Sequence, residues 1–143
     1  MAISKTPTTT ATININSSNM ASSPISLSCT FNMYKDGTRN TGLDITSGLN
    51  RVNMGTTNAG LIADQSEFDD DEGHMIYIKN LSTTAGQHLT ITATNASSQA
   101  AVIGRLQPGA ATLFPWSGNS DISCTQGVAD MEWEYQLFLQ KED

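Results

Sequence analysis

The stretch Met131-Glu132-Trp133-Glu134-Tyr135-Gln136-Leu137-Phe138-Leu139 decides between the two main classes of fold. Some of its apolar residues also fit helical spacing. However, every odd-numbered position is apolar, and every even-numbered position except Phe138 is polar. Strict alternation is typical of a strand with one face in a core, and aromatic residues favour strands. The stretch therefore predicts a strand.

The same alternation begins much earlier in the chain, where Ile25 to Phe31 alternate with Ser, Thr and Asn. Turn residues such as Asp36-Gly37, Pro108-Gly109 and Ser117-Gly118-Asn119 separate the candidate strands. Further candidate strands lie at Leu43–Ile45, Leu49–Met54, Gly60–Ala63, Met75–Lys79, Leu89–Thr94, Ala101–Leu106, Ala111–Phe114 and Ser120–Cys124. Many short strands separated by turns predict an all-β fold, an antiparallel β-sandwich (jelly-roll-like) or a barrel.

Composition points to the same class of fold and limits the partners. Ser, Thr and Asn supply 44 of the 143 residues, whereas the helix formers Leu, Glu and Lys supply 19. The net charge of -7 disfavours nucleic acid and anionic membranes as partners. No run approaches the ~20 apolar residues of a membrane helix, and Met1–Lys5 lacks the apolar core of a secretory signal. We therefore expect a soluble chain made in a cytoplasm.

Residues 1–24 differ in composition from the rest, being Thr-rich, then Ser- and Asn-rich, and ending at Pro24. Alone, such a segment is a flexible arm, held either by a neighbouring chain, which we favour, or by its own fold. The alternating pair Ile13 and Ile15 would let Thr9–Asn16 add a strand to a neighbour's edge. The candidate partner-binding residues are Ile3, Thr9, Thr10, Ile13 and Ile15. We predict an N-terminal arm over 1–24 and one β-domain over 25–143.

The cysteines and histidines show no spacing typical of a nucleophile or a metal site. Cys29 and Cys124 are predicted to be two buried thiols that pack as small apolar residues. A disulfide between them and a reactive thiol are the alternatives. His74 and His88 are predicted to lie at the surface or at strand edges. We expect no catalytic residue and no cofactor.

Two sets of carboxylates are candidates for chemistry. The run Asp69-Asp70-Asp71-Glu72, after Asp64 and Glu67, lacks the ligand spacing of a helix-loop-helix calcium loop. It predicts an exposed, solvated loop, with calcium or a basic patch of a partner as alternatives. Glu132 and Glu134 share one face of a strand and are predicted to face solvent, which does not favour glycosidase chemistry.

The segment Arg105–Gly118 predicts two strands joined by a Pro-Gly turn. It ends with Phe114-Pro115-Trp116, where Pro115 removes a ladder donor, so the second strand should end near this residue. The aromatic rings of Phe114 and Trp116 could close one end of a sandwich or form a subunit contact.

Three parts of the chain carry a resemblance: Met75–Gly86, Leu106–Ser117 and Trp133–Tyr135. Together they resemble small virion structural proteins of tailed bacteriophages, especially those of cyanobacterial and marine phages. The shared pattern is a strand ending in Lys-Asn before a Ser/Thr-rich turn, a Leu-x-Pro-Gly turn, a Phe-Pro-Trp end and a late strand with an aromatic pair. The resemblance implies a β-module that is repeated by symmetry on a particle and that works by binding, without catalysis.

Among the roles found in that group, a capsid decoration (cement) protein fits best, because the chain is short and has no heptads or long repeats of a fibre. The expected partners are the major capsid protein or other virion proteins, and the expected assembly is a homo-oligomer, with a trimer favoured. The expected location is the virion, assembled in the host cytoplasm. A neck, tail or fibre component and a carbohydrate- or host receptor-binding module remain alternatives, the last with an exposed platform such as Trp116 and Tyr34.

Overall fold

The computed structural model describes residues 9–17, 25–33, 45–46, 48–67 and 73–139. These residues form strands and no helix, and every strand pair is antiparallel. The strands are β1 (Thr9–Ser17), β2 (Ile25–Met33), β3 (Ile45–Thr46), β4 (Asn50–Val52), β5 (Ala59–Ala63), β6 (His74–Asn80), β7 (Leu89–Asn95), β8 (Ala100–Leu106), β9 (Ala111–Trp116), β10 (Ser120–Gln126) and β11 (Trp133–Leu139). The predicted all-β class is confirmed, and the stretch Met131–Leu139 contains the strand β11 (Trp133–Leu139).

Two sheets carry strands β3 to β11. One has the order β5-β10-β7-β8, and the other has the order β3-β11-β6-β9 with β4 also on β11. Because β3 and β4 pair with successive parts of β11, they occupy one edge position of the second sheet. Apart from the β7–β8 hairpin, each connection from β4 to β11 passes from one sheet to the other. This is the strand order of a jelly roll, the form of sandwich that the sequence predicted.

The core lies between these two sheets because each strand turns its alternate side chains inward. The pattern is clearest in β6 and β10, where buried and half-buried residues alternate along the strand. Both sheets contribute to one buried cluster: Ile62, Ala63, Leu89, Ile91, Leu106, Ile122 and Cys124 come from one sheet, and Ile76, Ile78, Trp116, Trp133, Leu137 and Leu139 from the other.

Two buried side-chain amides are hydrogen-bonded inside or beside this core. The Gln126 carbonyl oxygen accepts from the Trp133 indole N–H at 3.0 Å and from the Met54 backbone N–H at 2.9 Å. The Asn80 amide donates to the Leu106 carbonyl at 3.1 Å and to the Gln87 carbonyl at 2.8 Å. An unpaired buried amide lowers the free energy of unfolding, so the native fold keeps these bonds. They hold the segments that contain Met54 and Gln87 against the sheets.

Strands β1 and β2 form a hairpin of their own, in register from Thr9 opposite Met33 to Ser17 opposite Ile25. The chain divides into two compact units, 1–43 and 44–143. This differs from the predicted boundary at residue 24, which falls between two paired strands. The physical reason is that the alternating segment from Ile25 pairs with β1 and not with a strand of the sandwich.

We predict that Gly127→Ala destabilises the protein, by about 1–3 kcal/mol. A Cβ at Gly127 would lie 2.9 Å from the His88 carbonyl oxygen, and the Gly127 N–H already donates to that oxygen at 2.8 Å. Gly104→Ala is the matched control, because a Cβ there meets nothing within 4 Å. Urea unfolding of the two variants measures the difference, and equal stabilities would contradict the prediction.

Candidate binding surface

The β1–β2 hairpin presents an apolar face. Opposite residues of an antiparallel pair share a face, so Ile13 lies beside Cys29 and Ile15 beside Leu27. Ile13, Ile15 and Leu27 are 44%, 51% and 59% exposed, and Cys29 is exposed as well. Ala11 and Phe31, the next pair on this face, are half-buried. We call these six residues the hairpin apolar face.

The other face of the hairpin is polar and internally hydrogen-bonded. The hydroxyl oxygens of Thr12 and Thr30 lie 3.0 Å apart, within hydrogen-bond distance. The Ser28 hydroxyl donates to the Asn14 side-chain oxygen at 2.8 Å, and the Ser26 hydroxyl donates to that of Asn16 at 3.4 Å. Cross-strand bonds of this kind stabilise the register, so the hairpin has one defined polar face and one defined apolar face.

An amphipathic hairpin of two strands is marginal in water, since its apolar side chains have nothing within the hairpin to cover them. Complete burial of a large aliphatic side chain contributes about 1.5–3 kcal/mol. A partner that covered this face would gain binding free energy of this order from each such side chain that it buried fully. Contiguous exposed apolar side chains are typical of interaction sites. The hairpin apolar face is therefore the best candidate for a binding surface.

The structure places the predicted arm residues differently from one another. Ile13 and Ile15 lie on the hairpin apolar face, and Thr10 lies on the polar face. Thr9 is described only as the first residue of β1, and Ile3 lies outside the described residues. The arm's strand β1 pairs with β2 of its own chain, and its predicted attachment to the edge of a neighbouring chain stays a prediction.

The sequence prediction missed Leu27 and Phe31 as members of this surface. Both were assigned to the sandwich because their alternation matches a sandwich strand equally well. The useful signal was the same period of two on both sides of the linker 18–24, which is typical of a hairpin.

Phe114 and Trp116, the candidates for end-cap packing or subunit contact, both lie on β9. Trp116 is buried, and its indole N–H donates to the Ser120 carbonyl at 2.9 Å across the turn between β9 and β10. Phe114 is half-buried against the core. The His74 ring lies 5.2 Å from that of Trp116 and is fully buried at the first position of β6. Of the two predicted positions, surface or strand edge, the surface is therefore wrong.

Three side chains form a polar cluster on the outer side of the β3-β11-β6-β9 sheet. The Tyr77 hydroxyl donates to Glu134 Oε1 at 3.0 Å, and Arg51 Nε lies 3.4 Å from Glu134 Oε2. Glu134 is buried at 7% exposure, so its predicted position facing solvent is wrong, whereas Glu132 is exposed. Burial first, and then the bond and the charge of Glu134, raise the pKa of Tyr77.

The two cysteines have opposite environments. Cys124 is fully buried in β10, and burial raises the pKa of its thiol to about 12. Cys29 is exposed on β2, so the predicted burial is wrong for this residue, because β2 belongs to the hairpin and not to the core. Both thiols are free.

The acidic run 69–72 lies outside the described residues. Of the carboxylates just before it, Asp64 accepts from the Ser66 hydroxyl and backbone N–H at 2.7 and 2.8 Å, and these bonds lower the pKa of Asp64. Within the described part of the chain, no three His, Cys, Asp or Glu side chains are grouped to hold a metal ion. An open depression beside Arg51, Val52, Asn53 and Glu132 is shallow.

The comparisons with known proteins identify no family for this chain. No protein-family model and no curated protein matches the sequence. Among solved structures, the chain is similar to Yersinia pseudotuberculosis-derived mitogen, with 14% identity and a TM-score of 0.44, over 69% of this chain and 87% of that chain. A likeness at this level carries no conclusion about function. Across the described ranges, no helix is long and apolar enough to cross a membrane.

We predict that only Cys29 reacts with a thiol reagent in the folded protein at pH 8. A group with a pKa near 12 is almost entirely protonated at that pH, and the thiolate is the reactive form. Labelling should give one equivalent in the native state and two in guanidinium chloride. Cys29→Ser should abolish the native signal, and a native signal of two equivalents would contradict the burial of Cys124.

We predict that Glu134→Gln lowers the pKa of Tyr77 toward its ordinary value, because the substitution removes the carboxylate charge. The folded-state pKa lies above the unfolded value of about 10, so the stability contributed by Tyr77 is complete below that pH and is lost as the pH rises further. Tyrosinate absorbance, with Tyr77→Phe as the reference that isolates this residue, measures the shift. An unchanged pKa in Glu134→Gln would contradict the assigned bond.

Proposed function

We propose that the protein is a non-enzymatic virion structural protein of a tailed phage, most simply a capsid decoration protein. It binds the assembled shell through its hairpin and its β-domain. The proposal rests on the resemblance of three segments to such proteins, set out above. The observation that carries the binding step is the exposed row of Ile13, Ile15 and Leu27 on a hairpin that has no apolar cover of its own.

The mechanism follows from linkage. A protein that binds the assembled shell and not the free subunits stabilises the assembled state by its binding free energy. A symmetric particle offers many equivalent binding sites. If copies of the protein are joined, they bind several sites at once, so a weak contact from each copy is sufficient. The pairing of β1 with β2 lowers the conformational entropy that is lost on binding, because the strand that meets the shell is already extended.

The sandwich would then serve as a rigid carrier for the hairpin. Its core is closed by large buried side chains such as Trp133 and Ile76, and its buried amides are hydrogen-bonded. Jelly rolls occur in viral capsid and lectin domains, although a fold alone does not assign a function. Trp116 is buried and cannot form the exposed platform predicted for a carbohydrate-binding module, and Tyr34, the other residue of that platform, lies outside the described residues. The burial of Trp116 supports the virion role over that alternative.

The test uses particles of the phage that encodes the chain. Mass spectrometry of purified virions should find it, at a copy number close to that of the major capsid protein for decoration and far lower for a neck or tail component. Particles made without it should release DNA at a lower temperature. Absence of the chain from purified virions would overturn the proposal.

We predict that Ile13→Thr/Ile15→Thr weakens attachment to the particle by roughly ten- to thirtyfold. Each substitution removes apolar surface that binding to the particle would bury. Thr keeps the β-branched shape and the strand propensity. The matched control is Ile13→Val/Ile15→Val, which keeps both the β-branched shape and the apolar character of the same two side chains. Co-sedimentation with purified particles measures binding, and equal binding of both variants would contradict a role for the hairpin apolar face.

A further inference from the structure

The outer face of the β5-β10-β7-β8 sheet has almost no charge. Its two central strands turn small hydroxyl side chains outward, all half-buried: Thr90, Thr92, Thr94, Ser123 and Thr125. The charged residues on this face, Asp121 and Arg105, stand at its rims. The outer face of the other sheet instead carries Arg51, Lys79 and Glu134 side by side. Depletion of charge at the centre of a face is typical of a protein–protein interface.

The same sheet carries exposed apolar side chains at both its edges. Within the described residues, eight large hydrophobic side chains are exposed, and three of them lie on this sheet: Leu61 on β5, and Val102 and Ile103 on β8. Val102 is 67% exposed, the most of the eight. Leu49 and Val128 lie outside the strands, and the other three belong to the hairpin.

One row of side chains across the sheet has the same order of types from either edge: apolar, hydroxyl, hydroxyl, apolar. Leu61 lies opposite Ser123, Ser123 opposite Thr92, and Thr92 opposite Val102, so all four point outward in one line. Suppose that the outer faces of two copies meet, with a two-fold axis between them that is parallel to the strands and midway between β10 and β7. This axis would place Leu61 of one copy on Val102 of the second copy. It would also place Ser123 on Thr92. Self-complementarity of this kind is what a two-fold interface requires.

Charge does not oppose a second copy at this face. The chain carries a net charge of -7, so two copies repel wherever their acidic surfaces meet. A face with an uncharged centre is where they can approach at least cost. Edge-to-edge pairing through β8 is disfavoured, because the register shift between Ile91 and Thr92 marks a bulge at Ile103, and bulges hinder strand addition.

We propose that the outer face of this sheet, centred on the row Leu61–Ser123–Thr92–Val102, is the surface through which the protein associates with a second copy of itself. The surface belongs to a different compact unit from the hairpin, so this inference does not depend on the proposed virion role.

The size of the face sets the expected affinity. Four strands about 4.8 Å apart, over five residues of about 3.3 Å, give a flat footprint of roughly 300 Å². Stable interfaces bury about 800 Å² per partner, so this face alone is expected to give a weak contact. Self-association should therefore appear at tens to hundreds of micromolar, or where other contacts already hold the copies together.

Sedimentation equilibrium of the full chain over that range tests the proposal. The wild type should move from 15.3 kDa toward twice that mass, and Val102→Lys should raise the dissociation constant at least tenfold. Val128→Lys is the matched control, because it places the same charge at another exposed valine, and it should leave association unchanged. Circular dichroism verifies that both variants are folded.

A disulfide experiment tests the geometry. Leu61→Cys/Val102→Cys, made in a Cys29→Ser background, carries two thiols on opposite edge strands of one sheet. They are three strand spacings or about 14 Å apart, too far for a bond within one chain. Mild oxidation should give covalent dimers, whereas Val128→Cys in the same background should not.

Three results would overturn the proposal. One is a wild type that stays monomeric over the whole range, which would leave the face to another partner. Another is a dimer that Val102→Lys does not weaken. The third is a dimer that Ile13→Thr/Ile15→Thr alone dissociates, since association would then belong to the hairpin apolar face.

Discussion

The hydrogen bond from the Trp133 indole to the Gln126 side chain joins the two sheets inside the core, and much of the sandwich depends on it. A buried N–H or amide left without a partner costs about 1–3 kcal/mol, so both groups must keep their geometry. The same Gln126 amide accepts from the Met54 N–H and donates to the Thr56 carbonyl, which positions the segment between β4 and β5. One polar group thus coordinates parts of both sheets, while the apolar side chains around it supply the stabilisation.

The two compact units solve the problem of burying apolar side chains in different ways. The sandwich encloses its alternating residues between two sheets, and its remaining exposed hydrophobic side chains are concentrated on one sheet. The hairpin has only two strands and leaves Ile13, Ile15 and Leu27 exposed. Because burial of apolar surface drives association, the binding free energy is expected to come from these two places. We propose that the hairpin binds a particle surface and that the outer face of the β5-β10-β7-β8 sheet binds a second copy.

Some residues could be placed from the sequence and others could not. Alternation placed Trp133, Leu137 and Leu139 in the core correctly, since a strand with one buried face must alternate. The same alternation in Ile25–Phe31 misled, because a strand of an exposed hairpin and a strand of a sandwich have the same pattern. Cys29 was expected inside for that reason and is outside. His74, expected at the surface or a strand edge, and Glu134, expected to face solvent, are both buried. His74 lies beside the ring of Trp116, and Glu134 accepts a hydrogen bond from Tyr77 and pairs with Arg51.

The sequence by itself therefore determined the class of fold, the positions of most strands and which residues of a strand share a face. Those properties are local, because the period of two and the turn residues act within a few positions of the chain. Only the tertiary structure decided which strand pairs with which: β2 with β1, and Thr92 between Ser123 and Val102. Pairing depends on contacts between residues far apart in the chain, and many strands of similar pattern compete for each edge. For this reason the candidate surfaces, which are built from several strands, became visible only in the folded chain.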